Sequence, residues 1–379
     1  CNVGAKNTLD RNLLRLAAHR GARFYTGATV KYLERADDED HPWLVHVQPT
    51  VQMAGQTRPE SYCIYADTVI LAAGTLGSTE ILLQSRKEKR LSLSARLGDR
   101  FSTNGDGIVM SFGQKQQVRA VAEPEQKAPR KKVGPTITGI YRNRSLTLED
   151  ASIPAPLARL FAETVTSSAM IQRLADRELP LLHRQFGLDP LAASRTVTDH
   201  CQTILVMGED GARGKISLRE KDDGLHIACP DPAQFQSLQS ANELIREQDR
   251  QEGLDGGQYA PNPLWELMPR EAAGVMSGEL PRSRAITVHP LGGCAMADSV
   301  AGGVVNHKSQ VFDADGEVHQ GLYVMDGAVI PAALEVNPFL TIAALAWRNC
   351  EPLLKELTSA PSRKSKVTGA YKHLGPVPD

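Results

Sequence analysis

His289 stands in the run H-P-L-G-G-C (289–294). Pro290 keeps the residue before it extended, and Gly292-Gly293 permit close backbone approach. An imidazole presented in this way, with an ordinary pKa of ~6.5, can accept a proton near neutral pH. Further along, Asn337-Pro338 precedes Leu340, Ile342, Ala343, Leu345 and Ala346 at helical spacing. That pattern predicts a helix with Asn as a favoured N-cap and Pro in its first turn. A helix N-terminus favours anions by ~0.3–1 kcal/mol at exposed sites and more when buried, so an anionic group has a seat there. Just before it, Leu322 to Met325 reads as a strand ending in Asp326-Gly327, and α/β proteins bind ligands at the carboxyl edge of the sheet. Each feature also has a plainer explanation. A lone His often only satisfies structure, and a well-capped helix needs no ligand.

The elements that must hold these residues follow an α/β grammar. Thr8 to Arg20 carries Leu9, Leu13, Leu16 and Ala17 at helical spacing, with Gly21 as a stop. Ala22 to Arg35 and Pro42 to Val51 alternate as strands do. Thr68 to Ala73 is a short apolar run closed by Gly74 and followed by a helical stretch from Ser78 to Gln84, which predicts a strand buried on both faces and then a helix. The middle, 98–284, is less regular. The α/β pattern then returns at Ala285–Val288, Gly321–Met325 and the helix near Pro338, and the chain is expected to end in a loose tail from about Thr358. The fold class expected is α/β, as one Rossmann-like sheet interrupted by a substrate domain with an antiparallel sheet and helices. Its parts would be 1–100, 101–285, 286–357 and the tail 358–379.

Composition narrows the partners. The chain has 379 residues, a length that suits two to three domains. With 43 Lys and Arg against 44 Asp and Glu, the net charge of -1 gives no global pull toward nucleic acid or anionic lipid. No apolar run reaches the ~18 residues of a transmembrane helix. The six cysteines form no CxxC pair, which argues against a disulfide framework or a zinc site.

Five blocks carry a resemblance. N-V-G-A-K-N-T-L-D (2–10), T-V-I-L-A-A-G-T-L-G-S-T-E-I-L-L (68–83), H-P-L-G-G-C (289–294), G-L-Y-V-M-D-G-A-V-I-P (321–331) and N-P-F-L-T-I-A-A-L-A (337–346) resemble the glucose-methanol-choline flavin oxidoreductases, in their cholesterol oxidase-like branch. The resemblance implies FAD in a Rossmann-like domain and a substrate domain over its ring. The family's catalytic His falls on His289 and its paired Asn on Asn337. The Ala72-Ala73-Gly74 turn, Asp326-Gly327, Pro338 and Phe339 match positions lining the flavin, and Val30 matches the position whose backbone meets the adenine. L-T-L-E-D-A-S-I-P (146–154) looks like the stretch carrying the branch's active-site Glu, here Glu149. A solvated Glu beside Asp150 is the alternative.

The same resemblance implies oxidation of an alcohol CH–OH group by hydride transfer to flavin, with O2 or another electron acceptor. The substrate would be a sterol or another bulky hydrophobic alcohol, under a roof that includes Ile153, Leu157, Leu160 and Phe161. A sugar or small alcohol, or a catalytically silent fragment, is the alternative. The family's G-x-G-x-x-G fingerprint is absent from the sequence, and the chain begins at Cys1 without Met or a leader. These features lead to the expectation that the chain is a C-terminal portion of a longer enzyme and holds FAD poorly by itself.

Overall fold

The structure is a computed structural model. It describes residues 7–37, 42–50, 60–112, 117–118, 121–122, 137, 139–154, 156, 158–160, 162–163, 198–230, 235–251, 258–261, 286–359 and 367–368. Leu157 and Phe161, expected in the substrate roof, lie outside the described residues.

The predicted N-terminal helix is shorter than its pattern. Leu9–Arg11 is a 3-10 turn, and α1 spans Leu13–His19 after Asn12, whose side chain accepts from the Leu13 N–H. Three antiparallel strands follow, β1 (Ala28–Arg35), β2 (Trp43–Pro49) and β3 (Tyr62–Ala66). Alternation sends Leu33, Trp43 and Val47 into the core, as period-two strands require. A register irregularity between Val30 and Tyr32 re-aims β1 at that point.

Next come β4 (Val69–Leu71) and α2 (Gly74–Lys89), a helix that runs well past both ends of the predicted stretch. β4 pairs in parallel with the strand Val318–Val324, which pairs antiparallel with Gln310–Phe312. α2 buries Ile81, Leu82 and Leu83 in one core with Leu33, Trp43, Leu71, Leu322 and Val324. Two hydrogen bonds stitch the layers together. The Leu33 N–H donates to Ser85 Oγ at 2.8 Å, and the Trp43 indole donates to the Gln320 carbonyl at 2.9 Å.

A second core lies on a five-stranded antiparallel sheet. Its order is Gln258–Pro261, β5 (Gly107–Phe112), Cys201–Gly208, Leu146–Ala151 and Ile140–Arg142. The helix Gln236–Gln251, with Phe235 just before it, packs Leu238, Ala241 and Ile245 against Val109, Leu148 and Val206.

Two expectations change. No strand forms at 286–288, and Ala285 lies outside the described residues; the Val288 and His289 amides there bond to one aspartate side chain, described below, instead of a neighbouring strand. The end of the chain is also not wholly loose, because Val367 and Thr368 pair with Ile64 and Cys63 of β3. The C-terminal helix forms as predicted, spanning Phe339–Ser359 with Pro352 inside it. Among the described residues no helix is long and apolar enough to cross a membrane.

Candidate active site

The strand Val318–Val324 is followed by Met325, and the residue after that turns the chain with its side chain. Asp326 is buried, and one of its carboxylate oxygens accepts from the Ala328 N–H at 2.8 Å. The other accepts from the Gly74 N–H at 2.9 Å and from the Ser78 hydroxyl. A residue that sequence order puts far from Gly74 thereby fixes the start of α2. Burial raises its pKa against the pull of Ser78 and the two amides.

The H-P-L-G-G-C run is laid along this turn. Gly292, Cys294 and Met296 donate to the carbonyls of Gly327, Ala328 and Val329 at 3.1, 3.0 and 2.9 Å, and Thr75 donates to the Pro290 carbonyl at 2.7 Å. Gly292 has φ +83°, and a Cβ there would meet the Arg100 carbonyl oxygen at 1.9 Å. Its close approach is therefore to protein backbone. Cys294 is buried, which pushes its thiol up to about 12; it stays protonated and structural.

His289 is largely covered. Its side chain is 14% exposed and its Nδ1 lies 3.0 Å from Asp106 Oδ1. The other oxygen of Asp106 accepts from the Val288 and His289 amides, at 2.8 and 3.1 Å, and from the Thr287 hydroxyl at 3.0 Å. A carboxylate can only accept, so the ring proton sits on Nδ1 and Nε2 keeps its lone pair. Asp106, itself buried, is the functional residue that sequence reading missed. Asn104-Gly105 before it is a recognisable turn dipeptide, but no pattern in the sequence joins Asp106 to a histidine 183 positions away.

The same turn reaches Asn337. Asn104 Oδ1 accepts from the Leu334 and Glu335 amides at 2.8 and 3.0 Å, and its amide nitrogen donates to the Val336 carbonyl at 3.0 Å. Thr147, on the strand Leu146–Ala151, holds the Glu335 carbonyl at 2.6 Å. Asn104 and Gly105 both take positive φ, 59° and 63°, and a Cβ on Gly105 would strike the Gly208 carbonyl oxygen at 2.1 Å. Asn337 donates its side-chain amide to Glu149 Oε2 at 3.1 Å. Glu149 is only 2% exposed, so the solvated alternative fails. The structure thus brings Asn337 and Glu149 together and fixes His289 from the same turn, 102–106.

Most of the remaining predicted residues border open space. Val30, Ala72 and Ala73 line a cleft of about 1000 Å³ between β1, β4 and α2. Gly74 has φ +77°, and a Cβ there would meet nothing within 4 Å. Gly327 and Pro338 are buried, whereas Phe339 and Leu340 at the start of the C-terminal helix are exposed. Of the expected roof, Ile153 is buried and Leu160 is exposed.

Residues 210–346, which include His289, Asp326 and Asn337, match the family model of the GMC oxidoreductases, C-terminal part. Over that span the chain is similar to the GMC oxidoreductases. A cholesterol oxidase of Mycobacterium tuberculosis is 28% identical over 391 aligned residues, covering 100% of this chain and 61% of its own length. A cholesterol oxidase of Acinetobacter baumannii is 26% identical, covering 92% of this chain and 58% of its own length. The chain therefore spans about three-fifths of the length of those curated relatives. Among solved structures, an FAD-dependent oxidoreductase from Chaetomium thermophilum superposes with a TM-score of 0.53 at 17% identity, covering 92% of this chain and 64% of that one. That likeness bears on the fold alone.

Proposed function

We propose that these residues serve an FAD-dependent oxidation of an alcohol, with a sterol or another bulky hydrophobic alcohol as substrate. The observation that carries the reading is the pair His289 and Asp106. A base whose Nδ1–H is held by a buried carboxylate presents Nε2 in the accepting tautomer. In this reading Nε2 takes the hydroxyl proton. Asn337, tied to Glu149, orients the alcohol oxygen, and Glu149 is placed to move a proton on the product.

The residues suit FAD on its ring and adenine sides. The cleft beside Val30, Ala72 and Ala73 and the open space over Gly74 would take a flat, extended group; Asp326 keeps that edge rigid. A G-x-G-x-x-G phosphate cradle is not part of this sequence. When bound, FAD supplies the acceptor for the hydride leaving the alcohol carbon. The sterol preference draws on the cholesterol oxidases among the relatives.

The test is turnover of cholesterol, a long-chain alcohol and a hexose by the FAD-loaded polypeptide that carries these residues. Faster oxidation of the hexose overturns the substrate class, and no oxidation of any alcohol overturns the reaction.

A further inference from the structure

Outside the cluster around His289, a second set of side chains has the arrangement of an activated nucleophile. Tyr32, His46 and Cys63 are successive cross-strand partners on β1, β2 and β3. Cys63 Sγ lies 3.4 Å from His46 Nδ1, and His46 Nε2 lies 2.8 Å from Glu34 Oε2. One tautomer satisfies both contacts: Nε2–H donates to the carboxylate, and Nδ1 offers its lone pair to the thiol proton. Lys89 Nζ sits 3.1 Å from the same Glu34 oxygen. The Tyr32 ring lies over the imidazole with centroids 4.2 Å apart. Nucleophile, base and orienting acid within hydrogen-bond reach is the general logic of an activated thiol.

We propose that Cys63 is a thiol–disulfide exchange site for small disulfides entering the cleft, with His46 as its base. Tyr32, His46 and Cys63 line the cleft that Val30 and Ala72 border, so a small molecule in that space meets the sulfur. Burial, and then the Glu34 carboxylate, raise the Cys63 pKa, so the resting form is the thiol. The charged groups facing the cluster are Glu34, Lys89 and, along the cleft, Lys31, Glu80, Glu88, Asp222 and Asp223. Exchange begins when His46 Nδ1 takes the thiol proton and Sγ attacks one sulfur of the disulfide. A new Sγ–S bond forms, the old S–S bond breaks, and the departing thiolate collects the proton from His46. Cys63 is oxidised to a mixed disulfide and the reagent is reduced by the same two electrons.

The contrast with the other cysteines is built into the fold. Cys201 and Cys294 are buried with thiols pushed up to about 12, and Cys229 is raised to about 11. A consequence, resting on the cofactor reading above, is that a thiolated Cys63 competes with the adenine side of FAD.

The experiment is titration of the whole chain with 5,5′-dithiobis(2-nitrobenzoate), a chromogenic disulfide, followed by peptide mass mapping. The expected result is one fast equivalent on Cys63, absent in Cys63→Ser and slowed about tenfold or more in His46→Asn. Glu34→Gln provides a second, milder variant should His46→Asn fold poorly. Labelling of Cys63 no faster than Cys350, or rates unchanged in folded His46→Asn or Glu34→Gln protein, overturns the proposal. Saturating FAD should slow the fast phase. A fast phase that depends on His46 but ignores FAD keeps the thiol site and rejects the cofactor's place in the cleft.

Discussion

The block 286–346 and the five-stranded antiparallel sheet each bring two polar groups to the candidate site, but they hold them by different means. The block presents His289 just before a run pinned by backbone hydrogen bonds, Gly292, Cys294 and Met296 laid along 327–329, and Asn337 after a turn held by the Asn104 and Thr147 side chains. The sheet side presents Asp106 and Glu149 as carboxylates that are each 2% exposed, and such groups persist only when their oxygens are occupied. Asp106 meets this with four donors and Glu149 with Asn337. The family match covers the first region and neither of those carboxylates. The lesson is a division of labour: a local motif supplies the histidine and the amide, while a distant sheet supplies the carboxylates that meet them.

Removing the proposed base should have the largest effect. His289→Ala is expected to lower alcohol turnover by about 10²–10⁴-fold while flavin absorbance in the loaded protein stays intact. Unchanged turnover would place the chemistry elsewhere.

The acid from the sheet comes next. Asp106→Asn keeps the shape but offers Nδ1–H a poorer acceptor and a competing donor, so turnover should fall by about 10²-fold. A loss in kcat with KM nearly constant marks orientation of the base, and a loss in stability alone would make Asp106 a mere fastener of 287–289.

Third is the carboxylate that organises the block itself. Asp326→Ala strips partners from Gly74, Ser78 and Ala328, each about 1–3 kcal/mol when left unsatisfied. Urea unfolding should therefore show a loss of about 2 kcal/mol or more. Its raised pKa sets the sign for the wild type: the contribution is fully present below the unfolded value and is lost as pH rises through the folded one. Asn104→Ala should cost somewhat less, about 1–2 kcal/mol, and should loosen 334–336 enough to raise KM if Asn337 positions the alcohol.

The smallest effect belongs to β1. Hydrogen bonds from His46 and Lys89 outweigh burial and lower the Glu34 pKa. That pairing adds stability above the unfolded value of ~4.3 and loses it as pH falls through the folded value. Glu34→Gln should flatten the acid limb of the unfolding midpoint by under about 1 kcal/mol. A steeper limb would show that the carboxylate is strained, not paired.

Much of the α/β frame was legible because it is written in local patterns. The apolar run before Gly74, the strand before Asp326 and the helix after Pro338 all form where periodicity places them. The expected strand at Ala285–Val288 did not form, since a short apolar run carries no record of whether its amides will find a strand or a side chain. His289 and Asn337 were readable from their turns and from the family resemblance, and the burial of Glu149 was not.

By itself, then, the sequence determined the elements with strong periodicity, the near balance of charge and the turn-forming segments that carry His289, Asn337 and Asp326, because each depends on composition or on neighbours within a few residues. Only the tertiary structure decided which carboxylate faces which donor. Asp106 reaches His289 across 183 positions, Glu149 reaches Asn337 across 188 and Asp326 reaches Gly74 across 252. Burial selects those partners, since a carboxylate removed from water must be met by whatever donors the packing brings to it, and packing is a property of the assembled layers and not of any one segment.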